Sequence, residues 1–148
     1  MSIIIIFNNK DPKPWKDYLQ KQLPNTDISI YPDLKNPNDI RFAICWKPER
    51  NILSKFKNLE AVQSVGAAIE HITNTQSLDP NIKITRIVDP ILSQDMWEFV
   101  LAAVLNKLKS FPLYSLQQND KKWHPSSYER INSKTIGILG LGKIGGIV

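Results

Sequence analysis

An unbroken β-branched run, Ile3-Ile4-Ile5-Ile6-Phe7, constrains this chain more than any other stretch. A strand with one face in water alternates apolar and polar residues. A strand without that alternation is buried on both faces, as in a parallel sheet covered by helices. The residues that follow repeat the theme. Asn8 to Asp11 is a turn, and Trp15, Tyr18, Leu19 and Leu23 then recur at helical spacing until Pro24 stops them. Asp27 to Tyr31 is a second strand, Pro32 to Asp39 a polar loop with two prolines, and Arg41 to Trp46 a third strand. A short helix is expected from Glu49 to Phe56, a fourth strand from Leu59 to Val65 ending at Gly66, a short helix over Ile69 to Thr73, and a fifth strand from Ile82 to Val88. Strand and helix alternate, so the fold class is α/β. Five parallel strands in the order 2-1-3-4-5, with helices on both faces, are expected over residues 3–88.

A long helix comes next. Ser93 suits its N-cap and Asp95 its positive end, with Lys107 and Lys109 in the last turn and Pro112 as the stop. Residues 96–108 are apolar almost all round, which is the pattern of a helix covered on every side. A five-stranded domain covers one face only. Three or four of Trp97, Val100, Leu101, Val104 and Leu108 are expected to be left uncovered. Each large apolar side chain left in water forfeits about 1.5–3 kcal/mol, so a homodimer or an aggregation-prone chain is expected rather than a monomer. Pro112 to Asn132 has little periodicity and is expected to be a connection anchored by Tyr114, Trp123 and Tyr128.

Five of the six glycines lie in the last stretch, where an apolar run from Ile136 to Leu139 leads into Gly140-x-Gly142-x-x-Gly145. That order suits a dinucleotide-binding strand-to-helix turn. Gly140 allows the tight turn, Gly142 lets backbone approach a pyrophosphate, and Gly145 lets a helix pack on its strand. The acidic residue that meets the ribose hydroxyls is expected about 20 positions further on. The chain is therefore expected to be truncated soon after the turn begins.

Composition excludes several classes. The net charge of +5 comes from scattered lysines without interleaved aromatics, so a nucleic-acid partner is not expected. A single cysteine, Cys45, rules out an internal disulfide, suits a reducing compartment such as the cytoplasm, and sits in the apolar run Phe42-Ala43-Ile44-Cys45-Trp46, where an inert buried thiol is expected. There is no run long enough for a membrane span and no signal-peptide pattern. Two histidines and one cysteine give no metal-ligand spacing, so no metal is expected.

Several segments, in order, carry a family resemblance. They are Ile44-Cys45-Trp46-Lys47-Pro48; Leu59-Glu60-Ala61-Val62 leading to Gly66-Ala67-Ala68-Ile69-Glu70-His71-Ile72; Met96-Trp97-Glu98-Phe99; Gln117-Gln118-Asn119 with Trp123; and Ile136-Gly137-Ile138-Leu139-Gly140 with Gly142 and Gly145. Together they resemble the D-isomer-specific 2-hydroxyacid dehydrogenases, most closely the glyoxylate/hydroxypyruvate reductase A branch.

The resemblance implies a flavodoxin-like substrate domain over residues 1–92. It implies an interdomain long helix and connection over 93–133, and the first strand and turn of a Rossmann domain over 134–148. It implies an NAD(P)-dependent oxidoreductase of small 2-oxo acids, with NADP or NAD as cofactor. The substrate carboxylate would sit on Gly66, Ala67 and Ala68, with Trp46 as a wall of the cleft. The cofactor would sit on Gly140, Gly142, Lys143, Ile144 and Gly145. The family's proton-donating histidine, its glutamate partner and its arginine are implied to lie beyond Val148. No catalytic residue is therefore expected here, and the chain alone is expected to be inactive.

His71 is expected to be an ordinary helix residue; Arg86, His124 and Arg130 match none of the family's catalytic positions. Two departures stand out. Ala68 replaces a common second glycine, which would strain the loop if that position needs φ > 0, and Glu70 replaces the usual aspartate. The expected partners are a small 2-oxo acid and a second copy of the chain. The alternative is a non-catalytic flavodoxin-like binding module that dimerises through its long helix.

Overall fold

A computed structural model of the chain describes residues 2–148. The chain divides into two compact units, Met1–Val88 and Asp89–Val148.

The first unit is a five-stranded parallel sheet. Its strands are β1 (Ser2–Phe7), β2 (Asp27–Ile30), β3 (Ile40–Trp46), β4 (Ala61–Ser64) and β5 (Lys83–Thr85). Their order is β2-β1-β3-β4-β5, as the alternating pattern predicts, and every pairing is parallel. The isoleucine run lies at the centre because both of its faces are apolar. Ile4 and Ile6 face one core, with Ala43, Cys45, Leu53, Phe56, Val62 and Ile72. Ile3 and Ile5 face a second core, with Ile28 and the half-buried Trp15 and Leu19 of helix α1 (Lys13–Gln22). The first core is closed by the 3-10 turn Ile52–Lys55 and by Ile72 of the short helix α2 (Glu70–Thr73). The helix expected over Glu49 to Phe56 is thus this one 3-10 turn. β5 stops at Thr85, short of the expected Val88.

The second unit holds helices α3 (Pro90–Leu108) and α4 (Phe111–Asn119). α3 begins before the expected Ser93. Asp89 is the N-cap, its carboxylate accepting the Ile91 N–H at 2.9 Å, and Pro90 occupies the first turn, where its missing N–H costs nothing. Ser93 lies inside the helix and is buried. Pro112, expected as a stop, sits in the first turn of α4, after Ser110 breaks α3 in the left-handed region at φ 53°. The start of the expected connection, residues 112–119, is therefore helical. Ile136 to Leu139 forms no strand. A strand needs a neighbour's N–H and C=O groups to pair with, and among the described residues no strand pairs with this stretch.

Candidate functional site

The sheet fixes where a site forms. Strand order reverses direction between β1 and β3, and open α/β sheets receive ligands outside the strand carboxyl ends at such a point. There Phe7 pairs with Trp46, and the Asn8 N–H donates to the Trp46 carbonyl at 2.9 Å. The same edge carries Lys10 after β1, Trp46 and Lys47 at the end of β3, the loop Gly66-Ala67-Ala68 after β4, and Arg86 after β5.

The loop's backbone can be followed peptide by peptide. In a trans peptide the C=O of one residue and the N–H of the next point in opposite directions. The Gly66 carbonyl accepts from the Ile87 N–H at 3.1 Å. The Ala67 carbonyl accepts from Arg86 Nη1 at 2.8 Å, and the Ala68 carbonyl from the buried Ser64 hydroxyl at 2.7 Å. All three carbonyls are thereby drawn toward the scaffold, and the N–H groups of Ala67, Ala68 and Ile69 point the other way. The Ile69 N–H donates to the Glu70 carboxylate at 3.0 Å. Those of Ala67 and Ala68 have no acceptor among the described residues. Two adjacent unclaimed N–H groups are the arrangement that holds a carboxylate or other small anion. Neither alanine takes a positive φ, so the strain expected if Ala68 needed one does not arise.

Trp46 stands beside this loop, half-buried. Gly66 is required there by space: a β-carbon on it would lie 2.9 Å from Trp46 Cζ3. The ring also tilts against His71, with centroids 5.3 Å apart, and the Lys10 and Lys47 ammonium groups lie 5.7 and 5.5 Å from its centre. His71 Nε2 is 3.4 Å from Ser64 Oγ. Lys10, Lys47 and Arg86 give this edge a positive bias that raises the local concentration of anions. The structure thus brings Trp46, Gly66, Ala67 and Ala68 together. Ser64 and Arg86 complete the loop, and the sequence gives no sign of either, since only the fold brings residue 86 to residue 67.

Cys45 takes no part. It is fully buried, and burial pushes its thiol from 9.0 up to about 12. Among the described residues no group of three or more His, Cys, Asp or Glu could hold a metal ion, and no helix is long and apolar enough to cross a membrane.

The second unit carries the glycine-rich turn. Gly140 adopts φ +97°, and a β-carbon on Gly145 would strike the Gly140 carbonyl oxygen at 2.0 Å. The turn closes with the Gly146 N–H donating to the Gly142 carbonyl at 2.9 Å. The N–H groups from Leu141 to Gly145 have no acceptor among the described residues. These free donors, with Lys143 among them, fit one part of a dinucleotide, its pyrophosphate. The strand that would lead into such a turn is not formed.

No protein-family model matches the chain. It is 30% identical to glyoxylate/hydroxypyruvate reductase A of Yersinia enterocolitica over 98% of its own length and 48% of that protein's. Among solved structures, a D-isomer-specific 2-hydroxyacid dehydrogenase from Xanthobacter autotrophicus, in complex with NADPH and MES, is 28% identical. The TM-score is 0.78, over 99% of this chain and 48% of that one. A D-isomer-specific 2-hydroxyacid dehydrogenase family protein from Klebsiella pneumoniae is 26% identical with a TM-score of 0.82, over 99% of this chain and 46% of that one. The chain therefore resembles these dehydrogenases along nearly all of its own length, and it spans about half the length of the relatives it matches.

Proposed function

We propose that the chain forms the substrate-holding part, and the first turn of the cofactor-holding part, of an NAD(P)-dependent oxidoreductase that reduces small 2-oxo acids such as glyoxylate or hydroxypyruvate. The observation that carries this reading is the pair of unclaimed N–H groups of Ala67 and Ala68 at the carboxyl edge of the sheet, beside Trp46. NADPH in a related protein's structure favours NADP(H) as the cofactor.

The substrate carboxylate accepts from the Ala67 and Ala68 N–H groups. Trp46 walls the cleft and keeps water from that side of the substrate, and Lys10 and Lys47 draw the anion in. Gly140, Gly142, Lys143, Ile144 and Gly145 would hold the cofactor's pyrophosphate through backbone N–H groups and the Lys143 charge. When bound, the cofactor supplies the hydride that reduces the keto carbon. His71, the one histidine of the first unit, is directed at Ser64. We therefore assign these 148 residues binding without turnover, in the cytoplasm, where a lone reduced thiol is at home.

One observation favours the alternative of a non-catalytic dimerising module: large apolar side chains of α3, Phe99 and Ile91 among them, are exposed.

Calorimetric titration separates the readings. Oxamate, an unreactive analogue of a small 2-oxo acid, should bind saturably, and glycolamide, a neutral amide of similar size, should not. Added NADPH and glyoxylate should give no absorbance change above a blank. Equal binding of both amides, or turnover abolished by Gly142→Trp, would contradict the proposal.

A further inference from the structure

We infer that Arg86 is a positioning residue that sets the direction of one N–H group, that of Ala68, by holding the Ala67 carbonyl; its consequence for substrate rests on the reading of this loop as the carboxylate site. Three donors hold three successive peptides of the loop, and the Ser64 hydroxyl also lies 3.3 Å from the Gly66 carbonyl. The Ile87 N–H holds the Gly66 carbonyl and so aims the Ala67 N–H. Arg86 Nη1 holds the Ala67 carbonyl, at 2.8 Å, and so aims the Ala68 N–H. The Ser64 hydroxyl holds the Ala68 carbonyl, at 2.7 Å, and so aims the Ile69 N–H, which Glu70 already occupies.

The first of these holds is backbone and cannot be lost by a side-chain change. The third is buried and cross-linked: Ser64 Oγ also accepts from the Gly66 N–H at 3.1 Å. The second rests on one exposed side chain reaching across 19 residues of sequence. A peptide whose carbonyl is released can rotate as a unit by coupled changes in the flanking ψ and φ, turning its N–H away and its carbonyl toward the incoming anion. The Ala67–Ala68 peptide is thus the one whose orientation depends on Arg86. The guanidinium also adds a positive charge to this edge.

The test uses the whole 148-residue chain, labelled with ¹⁵N, as wild type, Arg86→Met, Arg86→Lys and Ser64→Ala. Backbone order parameters of the Ala67, Ala68 and Ile69 N–H vectors are read without any ligand. The wild type should give rigid values of about 0.85 at Ala67 and Ala68. Arg86→Met should drop Ala68 below about 0.6 and leave Ala67 rigid. Arg86→Lys, which keeps a donor and the charge, should restore Ala68, and Ser64→Ala, which removes contacts to Gly66 and Ala68 alike, should loosen Ile69 most. A merely structural role would move Ala67 and Ala68 together. That result, or an Ala68 unchanged in Arg86→Met, overturns the inference.

A second arm titrates oxamate. Arg86→Met should weaken it about tenfold, the effect of misdirecting one charge-assisted hydrogen bond, with partial recovery in Arg86→Lys. A wild type that ignores oxamate while its order parameters follow the pattern overturns the carboxylate reading and leaves the positioning role standing.

Discussion

Gly66 and Trp46 touch: a β-carbon on Gly66 would lie 2.9 Å from Cζ3 of the indole. The contact couples the loop to the wall of the proposed cleft. Gly66→Ala forces the ring aside, because the clashing atom belongs to a stiff bicyclic side chain that also leans on His71. Overpacking of this kind costs about 1–3 kcal/mol. A lowered urea midpoint together with a changed Trp46 near-ultraviolet signal is expected. An alanine variant with the wild-type spectrum would place the ring elsewhere.

Cys45 predicts a pH dependence. Its thiol is pushed from 9.0 up to about 12 by burial. The unfolded chain therefore loses this proton at lower pH than the folded chain. The stability it contributes is whole below about pH 9 and is lost as pH rises toward 12, at up to about 1.4 kcal/mol per pH unit. Denaturant titrations from pH 8 to 11 should show the decline, and Cys45→Ala should flatten it. At neutral pH a thiol reagent should react only as fast as the first unit opens.

Gln76 is a buried polar clamp that the sequence does not announce. Its side-chain carbonyl accepts the Leu53 N–H at 3.1 Å, and its amide donates to the Glu49 carbonyl at 2.7 Å. Gln76→Leu removes the side-chain acceptor of the Leu53 N–H and leaves the Glu49 carbonyl with the Ile52 N–H at 3.2 Å, and should cost about 1–3 kcal/mol in chemical denaturation. An unchanged midpoint would mean that water replaces both bonds freely.

The second unit predicts self-association. Ser93 is the only buried residue among its described residues, while Phe99 is 69% and Ile91 65% exposed. The exposed set of α3 differs from the expected one. Trp97 belongs to it, but Val100, Leu101, Val104 and Leu108 are partly covered, and Ile91, Leu92, Met96 and Phe99 stand out instead. In a two-fold dimer each substitution acts twice. Phe99→Glu should therefore weaken association about a hundredfold or more in sedimentation equilibrium. A wild-type chain that stays monomeric at micromolar concentration would remove this interface.

The sheet was legible because its cause is local. The short, β-branched isoleucine run suits a strand buried on both faces, and the strand-helix rhythm agrees with the order β2-β1-β3-β4-β5. Helix boundaries were less so. Pro112 reads equally as a stop or as the first turn of a new helix, and only the left-handed break at Ser110 decides. Ile136 to Leu139 has a strand's composition, but a strand also needs a partner. In the site, Trp46 and Gly66 to Ala68 lie at strand ends, and the family resemblance is what singled them out. Ser64 and Arg86 were not singled out, because their roles come from side-chain reach across the folded edge.

The central claim is that the Ala67 and Ala68 N–H groups receive a carboxylate, and an amide chemical-shift titration of the ¹⁵N-labelled chain with oxamate tests it most directly. The prediction is a saturable response with its largest shifts at Ala67 and Ala68 and a smaller one at the Trp46 indole. Largest shifts at any other segment, or no saturable response at all, would contradict it.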